Sequence, residues 1–199
     1  MMLQAGFHDV PAGHIAAVVT HLEMRAAAPV RSGAGAEGLS LLRIEEPDPD
    51  WYRALFLRVG GQDWLWFSRL LLDDDALADI LEDADVHVYV LRRDGLDIGL
   101  MELDFRQPGA CELAFFGLVS SAIGTGAGRF MMNEAIRLAW AAPISLFHVH
   151  TCTMDSPQAL DFYQRSGFVP VRRQVEVVPD PRLSGLLPET AAPHVPILK

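Results

Sequence analysis

An apolar strand that runs into a glycine-rich turn and then a helix constrains this chain most. The segment Leu113–Glu134 reads LAFFGLVSSAIGTGAGRFMMNE, with Gly124, Gly126 and Gly128 at alternate positions. Glycines let a backbone approach a ligand closely and leave successive N–H groups free to point at an anion. The helix N-terminus adds partial positive charge and unpaired donors, so the pattern predicts a pyrophosphate site.

Other interpretations of the glycine cluster require different residues. A P-loop would end in Gly-Lys-Ser/Thr, whereas Arg129 and Phe130 follow Gly128. A dinucleotide-binding fingerprint needs G-x-G-x-x-G early in a parallel βαβ array, and the spacing here is G-x-G-x-G. A glycine-rich turn without a ligand stays open as an alternative at this point.

The spacing of apolar residues predicts the element order β-β-α-α-β-β-β-α-β-α-β. The predicted strands are His14–Met24, Leu39–Ile44, Val86–Leu91, Ile98–Phe105, Cys111–Val119, Ile144–Thr153 and Phe168–Val178. The predicted helices are one that opens at Pro47–Pro49 and stops at Gly60–Gly61, and those at Asp73–Leu81, Arg129–Trp140 and Ser156–Gly167. An antiparallel meander followed by βαβ crossovers predicts a mixed α+β or α/β fold, with a mostly antiparallel central sheet flanked by helices. Ala26–Gly38 and the residues from Pro179 onward are predicted to be irregular.

Composition narrows the function classes. Sixteen Lys and Arg against 26 Asp and Glu give a net charge of -10, which argues against nucleic acid as a partner. No apolar stretch approaches the ~20 residues of a membrane span, and the N-terminus lacks a signal-peptide pattern. Cys111 and Cys152 lack C-x-x-C spacing and are interpreted as buried thiols in a reducing compartment. We therefore expect a cytoplasmic protein with no membrane partner.

A second motif lies downstream of the glycine cluster. Thr153–Phe168 reads TMDSPQALDFYQRSGF, in which a strand is followed by A-L-x-F-Y-x-x-x-G-F. Together with the upstream turn and helix, this motif resembles the GNAT superfamily of N-acetyltransferases over roughly Val86–Val178. The resemblance implies the GNAT acyl-CoA N-acyltransferase fold and acetyl-CoA as co-substrate. It also implies a single domain over residues 1–199, with an acceptor-side part at 1–85, an acetyl-CoA-binding core at 86–178 and a tail at 179–199.

The resemblance also implies which residues hold the co-substrate. In the superfamily the pyrophosphate loop reads Gln/Arg-x-x-Gly-x-Gly/Ala, and Ile123 stands where Gln or Arg is usual. The implied pyrophosphate contacts are Ile123, Gly124, Thr125, Gly126, Ala127, Gly128 and Arg129. Backbone groups of Phe116, Leu118 and Val119 would pair with pantetheine, and the Leu118 N–H would face the thioester oxygen. Asp155 or Ser156, where Asn is often found, would accept a hydrogen bond from the pantetheine arm.

Two catalytic roles follow from the chemistry. Tyr163 matches the superfamily's aromatic hydroxyl, which commonly protonates the departing thiolate; a tyrosine at the edge of the core is the alternative. An amine with a pKa near ~10 must lose a proton before it attacks, so a base or a water chain is needed. Glu112, a carboxylate in an apolar strand, is the first candidate, and burial is expected to raise its pKa. Glu102 and Asp104 are the other candidates, and a carboxylate paired with an arginine is the alternative interpretation of Glu112.

Two further clusters have open interpretations. His148 and His150 share one face of a strand, but no third ligand has telling spacing, so no metal is expected. These histidines either border the acceptor pocket or pack in the core. Asp63–Arg69 (DWLWFSR) forms either an aromatic pocket for a cationic or apolar acceptor, or part of the core.

The predicted function is an N-acetyltransferase that moves the acetyl group of acetyl-CoA to an unidentified amine by direct attack in a ternary complex. The alternatives are a non-catalytic acyl-CoA-binding module of the same fold and a transferase for a longer acyl group. Exposed sheet edges allow a homodimer.

Overall fold

The computed structural model describes residues 3–33 and 35–199. Its strands are β1 His14–Met24, β2 Leu39–Ile44, β3 Val86–Arg93, β4 Leu96–Asp104, β5 Ala110–Leu118, β6 Leu146–Cys152 and β7 Val169–Pro179. Its α-helices are α1 Pro49–Phe56, α2 Gln62–Trp64, α3 Asp74–Leu81, α4 Ala127–Ala139 and α5 Ala159–Arg165. A π-helical turn at Leu57–Gly61 joins α1 to α2, and 3-10 turns lie at Ser68–Leu70 and Ser120–Ala122.

The strands form one seven-stranded sheet in the order β2-β3-β4-β5-β6-β1-β7. Every neighbouring pair is antiparallel except β5 and β6, which are parallel. Helices α1 and α3 pack on one face of the sheet, and α4 and α5 pack on the other. The predicted mixed, mostly antiparallel sheet with flanking helices is therefore confirmed.

The sheet is split between its two parallel strands. β5 and β6 pair only at their beginnings, through Ala110–Leu146, Cys111–Phe147 and Glu112–His148. Beyond Glu112, β5 stays paired with β4 up to Leu118, while β6 stays paired with β1 up to Cys152. Each strand keeps one partner and they diverge from each other, so the sheet opens into a V.

The helix predicted to stop at Gly60–Gly61 does not stop there. The chain continues through the π-helical turn and α2, and ends at Leu65, whose φ is +55°. Gly60 lies under the indole of Trp66, and a Cβ on Gly60 would lie 2.0 Å from Trp66 Cδ2. The glycine pair is needed for a close approach rather than for a helix end, and a sequence pattern does not distinguish the two.

Gly60→Ala should destabilise the fold by about 1–3 kcal/mol, because the methyl group overpacks the Trp66 ring. The measurement is chemical denaturation of Gly60→Ala alone and in a Trp66→Ala background. In that background the clash is absent, and the methyl group should be neutral or slightly stabilising because alanine suits a helix better than glycine. Equal destabilisation in both backgrounds would contradict the proposed contact.

The C-terminal residues are irregular, as predicted, and pack on the domain. Arg182 is buried and donates to the carboxylate of Asp180 and to the carbonyls of Ala191 and Val195. Ala26–Gly38 is also irregular where it is described, and Ala34 within it lies outside the described residues. In the part of the chain that the structure describes, no helix has the length and hydropathy to cross a bilayer.

Candidate active site

The split between β5 and β6 opens into a cleft of about 470 Å³. Its walls come from the diverging strand segments Leu113–Leu118 and Val149–Thr151, and from the loop and helix that follow each strand. Of the residues predicted to bind the co-substrate, those that line it are Phe116, Leu118, Ile123, Gly124, Gly126, Gly128, Arg129, Asp155 and Ser156. Tyr163 lines it too.

The backbone of β5 explains which donors face the cleft. The Val119 N–H donates to the Ile98 carbonyl at 2.9 Å, and the Val119 carbonyl accepts from the Ala122 N–H at 2.9 Å. The Val119 N–H is thus already paired inside the protein, and its carbonyl keeps one lone pair, so a contact of Val119 with pantetheine stays a prediction for that carbonyl. Because backbone direction alternates along a strand, the N–H groups of Leu118 and Phe116 point away from β4 and into the split.

The glycine turn leaves the start of α4 open. Gly124 and Gly126 have φ of +79° and +90°, and Gly126 caps α4 without any side-chain hydrogen bond. The first intrahelical bond runs from the Phe130 N–H to the Gly126 carbonyl, so the N–H groups of the first helical turn have no partner within the helix. A Cβ on Gly124 would meet no atom within 4 Å. This open, donor-rich turn fits a pyrophosphate.

Two predicted loop contacts are limited to backbone. Ala127 is fully buried, so only its N–H can face a ligand. Thr125 turns its hydroxyl inward, where it donates to the Ala122 carbonyl at 2.8 Å. The Ile123 side chain, by contrast, is 41% exposed and borders the cleft.

Positive charge gathers at this end of the cleft. The Arg129 guanidinium lies 5.0 Å from the centre of the Phe162 ring and donates to the Ser166 hydroxyl at 3.0 Å. Burial, and then the nearby charges of Arg31 and Arg165, lower the pKa of Arg129. Sequence reasoning missed Arg31 and Arg165, although Arg165 stands within the second motif. The cluster supplies cationic side chains that Ile123 does not.

Tyr163 lies on the opposite wall from the glycine turn. Its side chain is 7% exposed and contacts the rings of Phe116, Phe162 and Phe168. Among the described residues, its hydroxyl has no hydrogen-bond partner. Burial, and then the negative charge of Asp155, raise the pKa of Tyr163, so the phenol stays protonated and can donate.

Asp155 is largely occupied by the protein itself. One carboxylate oxygen accepts from the Thr151 hydroxyl at 2.7 Å and the Cys152 N–H at 2.8 Å. The other accepts from the Trp66 indole N–H at 3.1 Å. These contacts fix the turn after β6, and of the two predicted pantetheine acceptors Ser156 has the freer side chain.

Glu112 pairs with a histidine rather than an arginine. The Glu112 carboxylate lies 3.2 Å from His150 Nδ1. His150 lines the cleft, whereas Glu112 does not. The hydrogen bond from His150 is the largest cause of a lowered pKa at Glu112, so the expected rise is wrong. The same bond raises the pKa of His150. Pairing across the split, which local sequence does not reveal, reverses the expected direction.

The other two candidate bases, Glu102 and Asp104, are bound to other side chains. Glu102 is fully buried, accepts from the Tyr52 hydroxyl at 2.6 Å and forms an ion pair with Arg69. Asp104 is bound by Arg106, chiefly through side-chain hydrogen bonds. Glu102 and Asp104 therefore have the arginine partners that were the alternative interpretation of Glu112.

The structure also places the candidate metal ligands, the two cysteines and the aromatic segment. Within the described residues, no group of three or more His, Cys, Asp or Glu side chains is arranged to hold a metal ion. Cys111 is buried and Cys152 partly buried; both are free thiols, and burial raises the pKa of Cys152 to about 11. From the aromatic segment, Trp64, Trp66 and Phe67 line the cleft, while Arg69 lies beside the Phe115 ring.

Comparison with known proteins agrees with this geometry. The model of the acetyltransferase (GNAT) family matches residues 48–168, so the chain belongs to the GNAT acetyltransferase family. A search of curated proteins finds no match.

Solved structures of low sequence identity share the fold. A GCN5-related N-acetyltransferase from Sphaerobacter thermophilus matches with a TM-score of 0.62 and 14% identity, over 83% of this chain and 53% of that one. One from Kribbella flavida matches with a TM-score of 0.56 and 18% identity, over 87% and 63%. A GNAT acetyltransferase from Elizabethkingia anophelis, solved with acetyl-CoA bound, matches with a TM-score of 0.53 and 15% identity, over 68% and 79%. The chain thus spans only about half to two thirds of the length of the first two.

Proposed function

We propose that this chain transfers the acetyl group of acetyl-CoA to the nitrogen of an amine, by direct attack within a ternary complex. The observation that carries the proposal is that one cleft joins an open, donor-rich helix start, a split parallel strand pair and a tyrosine hydroxyl that has no partner among the described residues. We further propose that residues 1–199 act as one domain in the cytoplasm. The single sheet that links β1 to β7 and the free thiols support these two points.

The phosphates would bind at the glycine turn. The N–H groups at the start of α4 supply donors, and Arg129 and Arg165 supply positive charge at the same end of the cleft. The pantetheine arm would then run along the split edge of β5, where the N–H groups of Phe116 and Leu118 are free to pair with its amides. The Leu118 N–H would also stabilise the negative charge that develops on the thioester oxygen.

The reaction needs two protons removed from the nitrogen and one proton delivered to the sulfur. The ammonium group loses a proton to His150, which Glu112 holds by a hydrogen bond. The nitrogen lone pair forms the new N–C bond as the C–S bond breaks, and the electron pair leaves on sulfur. The nitrogen then releases its second proton to solvent and becomes the amide. Tyr163 donates its proton to the departing thiolate, and solvent restores it. No covalent bond to the protein forms, so neither cysteine has a catalytic role.

The test of the proposed function is turnover. Acetyl-CoA and a mixture of primary amines are incubated with the protein. The release of free thiol is measured, and the masses of the amines are determined by mass spectrometry. We expect thiol release that depends on amine, with one acetyl group gained by at least one amine. Tight binding of coenzyme A without turnover of any amine would instead support a non-catalytic acyl-CoA-binding module.

Activity should rise with pH through the pKa of His150, because the imidazole must be neutral to accept a proton. The Glu112 hydrogen bond raises that pKa above its ordinary value of ~6.5, so the acidic limb of kcat/KM should lie above that pH. Glu112→Gln removes the carboxylate and should move the limb to lower pH. The nearby carboxylates of Asp155 and Glu176 act in the same direction as Glu112, and His21 lies 5.8 Å away, ring to ring.

Glu189→Gln, which makes the same charge change in the C-terminal segment, is the control and should leave the pH profile in place. If the acidic limb of kcat/KM in Glu112→Gln does not move, or moves to higher pH, that result would contradict proton acceptance by His150.

A further inference from the structure

The cleft opens on both faces of the sheet, and its two openings differ in charge. On the face of α4 and α5 it is bordered by Arg129, Arg165 and Tyr163. On the face of α1, strand alternation places His150 and Glu176, which also line it. Anionic coenzyme A suits the basic opening, so the acidic opening is left for the acceptor.

The acidic opening can hold a cation. Glu176 on β7 is exposed, and it has no ion-pair partner among the described residues. Glu112 lies 3.2 Å from His150 Nδ1, and Asp155 and Glu176 line the cleft together with His150, so negative charge is concentrated beside this histidine. Of the nearby cations, Arg69 is neutralised by Glu102, and Arg172 is directed to Gln174 and His21.

The wall beside this opening is apolar and fixed. Trp66 follows Leu65, whose left-handed backbone turns the chain, and its ring is held against Gly60 and Gly117. A Cβ on Gly117 would lie 2.9 Å from Trp66 Cη2. The indole N–H is already bonded to Asp155, so Trp66 bridges the two diverging strands and offers an acceptor only apolar surface.

The rest of this wall is mostly aromatic, with Ser68 as its polar residue. Phe67 and Phe115 line the same cleft, and Phe115 packs against Trp66 with ring centres 5.3 Å apart. An acceptor rich in hydroxyl groups would lose water here and gain few hydrogen bonds, whereas an apolar body would gain from burial. The Tyr163 side chain is buried, while its hydroxyl is accessible and has no partner among the described residues, which marks the cleft as a place for a ligand.

We propose that the acceptor is a primary amine on an apolar or aromatic body that carries no carboxylate or phosphate. Its ammonium group binds between His150 and Glu176, and its body packs against Trp66 and Phe67. The proposal rests on the proposed acetyl transfer for its biological meaning, but the binding that it describes can be measured without turnover.

The experiment is isothermal titration of the protein with four small molecules, with and without saturating coenzyme A. The probe is 2-phenylethylamine. Its comparators are 2-phenylethanol, which lacks the charge, phenylalanine, which adds a carboxylate, and spermidine, which is a polar polycation. We expect 2-phenylethylamine to bind about tenfold or more tightly than each comparator, since the ammonium gains charge-assisted hydrogen bonds and the ring gains burial.

A variant tests the assigned carboxylate. Glu176→Gln, at an exposed position, should weaken the binding of 2-phenylethylamine about tenfold and leave the affinity for 2-phenylethanol unchanged. Glu189→Gln should change neither affinity. Tighter binding of spermidine or phenylalanine, or equal binding of amine and alcohol, would overturn the proposal. So would an unchanged affinity in Glu176→Gln.

The outcomes separate this inference from the proposed function. If 2-phenylethylamine binds in the predicted order but is not acetylated, the acceptor site stands and acetyl transfer fails. If spermidine is acetylated while 2-phenylethylamine neither binds nor reacts, acetyl transfer stands and the assignment of the acceptor is wrong.

Discussion

Tyr163→Phe is expected to lower kcat for acetyl transfer by about 100-fold or more, while the dissociation constant of coenzyme A stays the same. Proton delivery by a positioned acid contributes about 10²–10⁴-fold to a rate, and the phenol is the group proposed to protonate the thiolate. Because the ring packs against Phe116, Phe162 and Phe168, phenylalanine preserves the packing and removes only the oxygen. Single-turnover kinetics with saturating acetyl-CoA and amine measure the effect.

Tyr89→Phe is the matched control. Tyr89 is similarly buried, at 6% exposed, and burial also raises its pKa, but it does not line the cleft. Its loss should leave kcat unchanged. A kcat in Tyr163→Phe within about threefold of the unmodified protein would show that water, rather than this tyrosine, supplies the proton.

Gly124→Asp is expected to weaken coenzyme A about 100-fold or more, which corresponds to about 2.7 kcal/mol of binding free energy. The Cβ would enter open space at the start of α4, so the substitution places a carboxylate where the phosphates bind without a clash at Cβ. The positive φ of +79° adds a backbone cost of roughly 1–2 kcal/mol to folding, which leaves the protein folded. Isothermal titration with coenzyme A gives the affinity.

Gly95→Asp is the matched control for this substitution. Gly95 has φ of +80° and open space at its Cβ, but it lies in the turn between β3 and β4 and does not line the cleft. The two variants carry the same charge and a similar backbone cost, so only Gly124→Asp should lose affinity. Equal affinities of the two variants for coenzyme A would show that the phosphates do not bind at the glycine turn.

Local patterns predicted much of this fold. The bounds of β1 and β2 agree with the sequence prediction to the residue, because short runs of apolar and β-branched residues between turn residues specify a strand locally. The glycine turn before α4 was also visible, since its positive φ values demand glycine. The GNAT family assignment rested on two such local motifs and is confirmed.

Contacts between distant segments could not be read from the sequence. Glu112 and His150 meet only because β5 and β6 pair in one register, and that pairing lowers the pKa that burial alone would raise. The bond from Trp66 to Asp155 joins residues 89 positions apart, so the sequence could not show that it occupies the carboxylate expected to bind pantetheine. The roles proposed for Tyr163 and His150 stay predictions until the variants are measured.

Thermal unfolding with and without acetyl-CoA tests the central claim, that the cleft at the split of β5 and β6 binds this donor. At about a hundred times its dissociation constant the ligand should stabilise the fold by about 2.7 kcal/mol, which corresponds to a rise in Tm of roughly 5–10 °C. At the same ligand concentration the rise should fall to roughly 1–2 °C in Gly124→Asp and be complete in Gly95→Asp. An unchanged Tm at millimolar acetyl-CoA, with the protein folded, would contradict donor binding in this cleft and with it the proposed reaction.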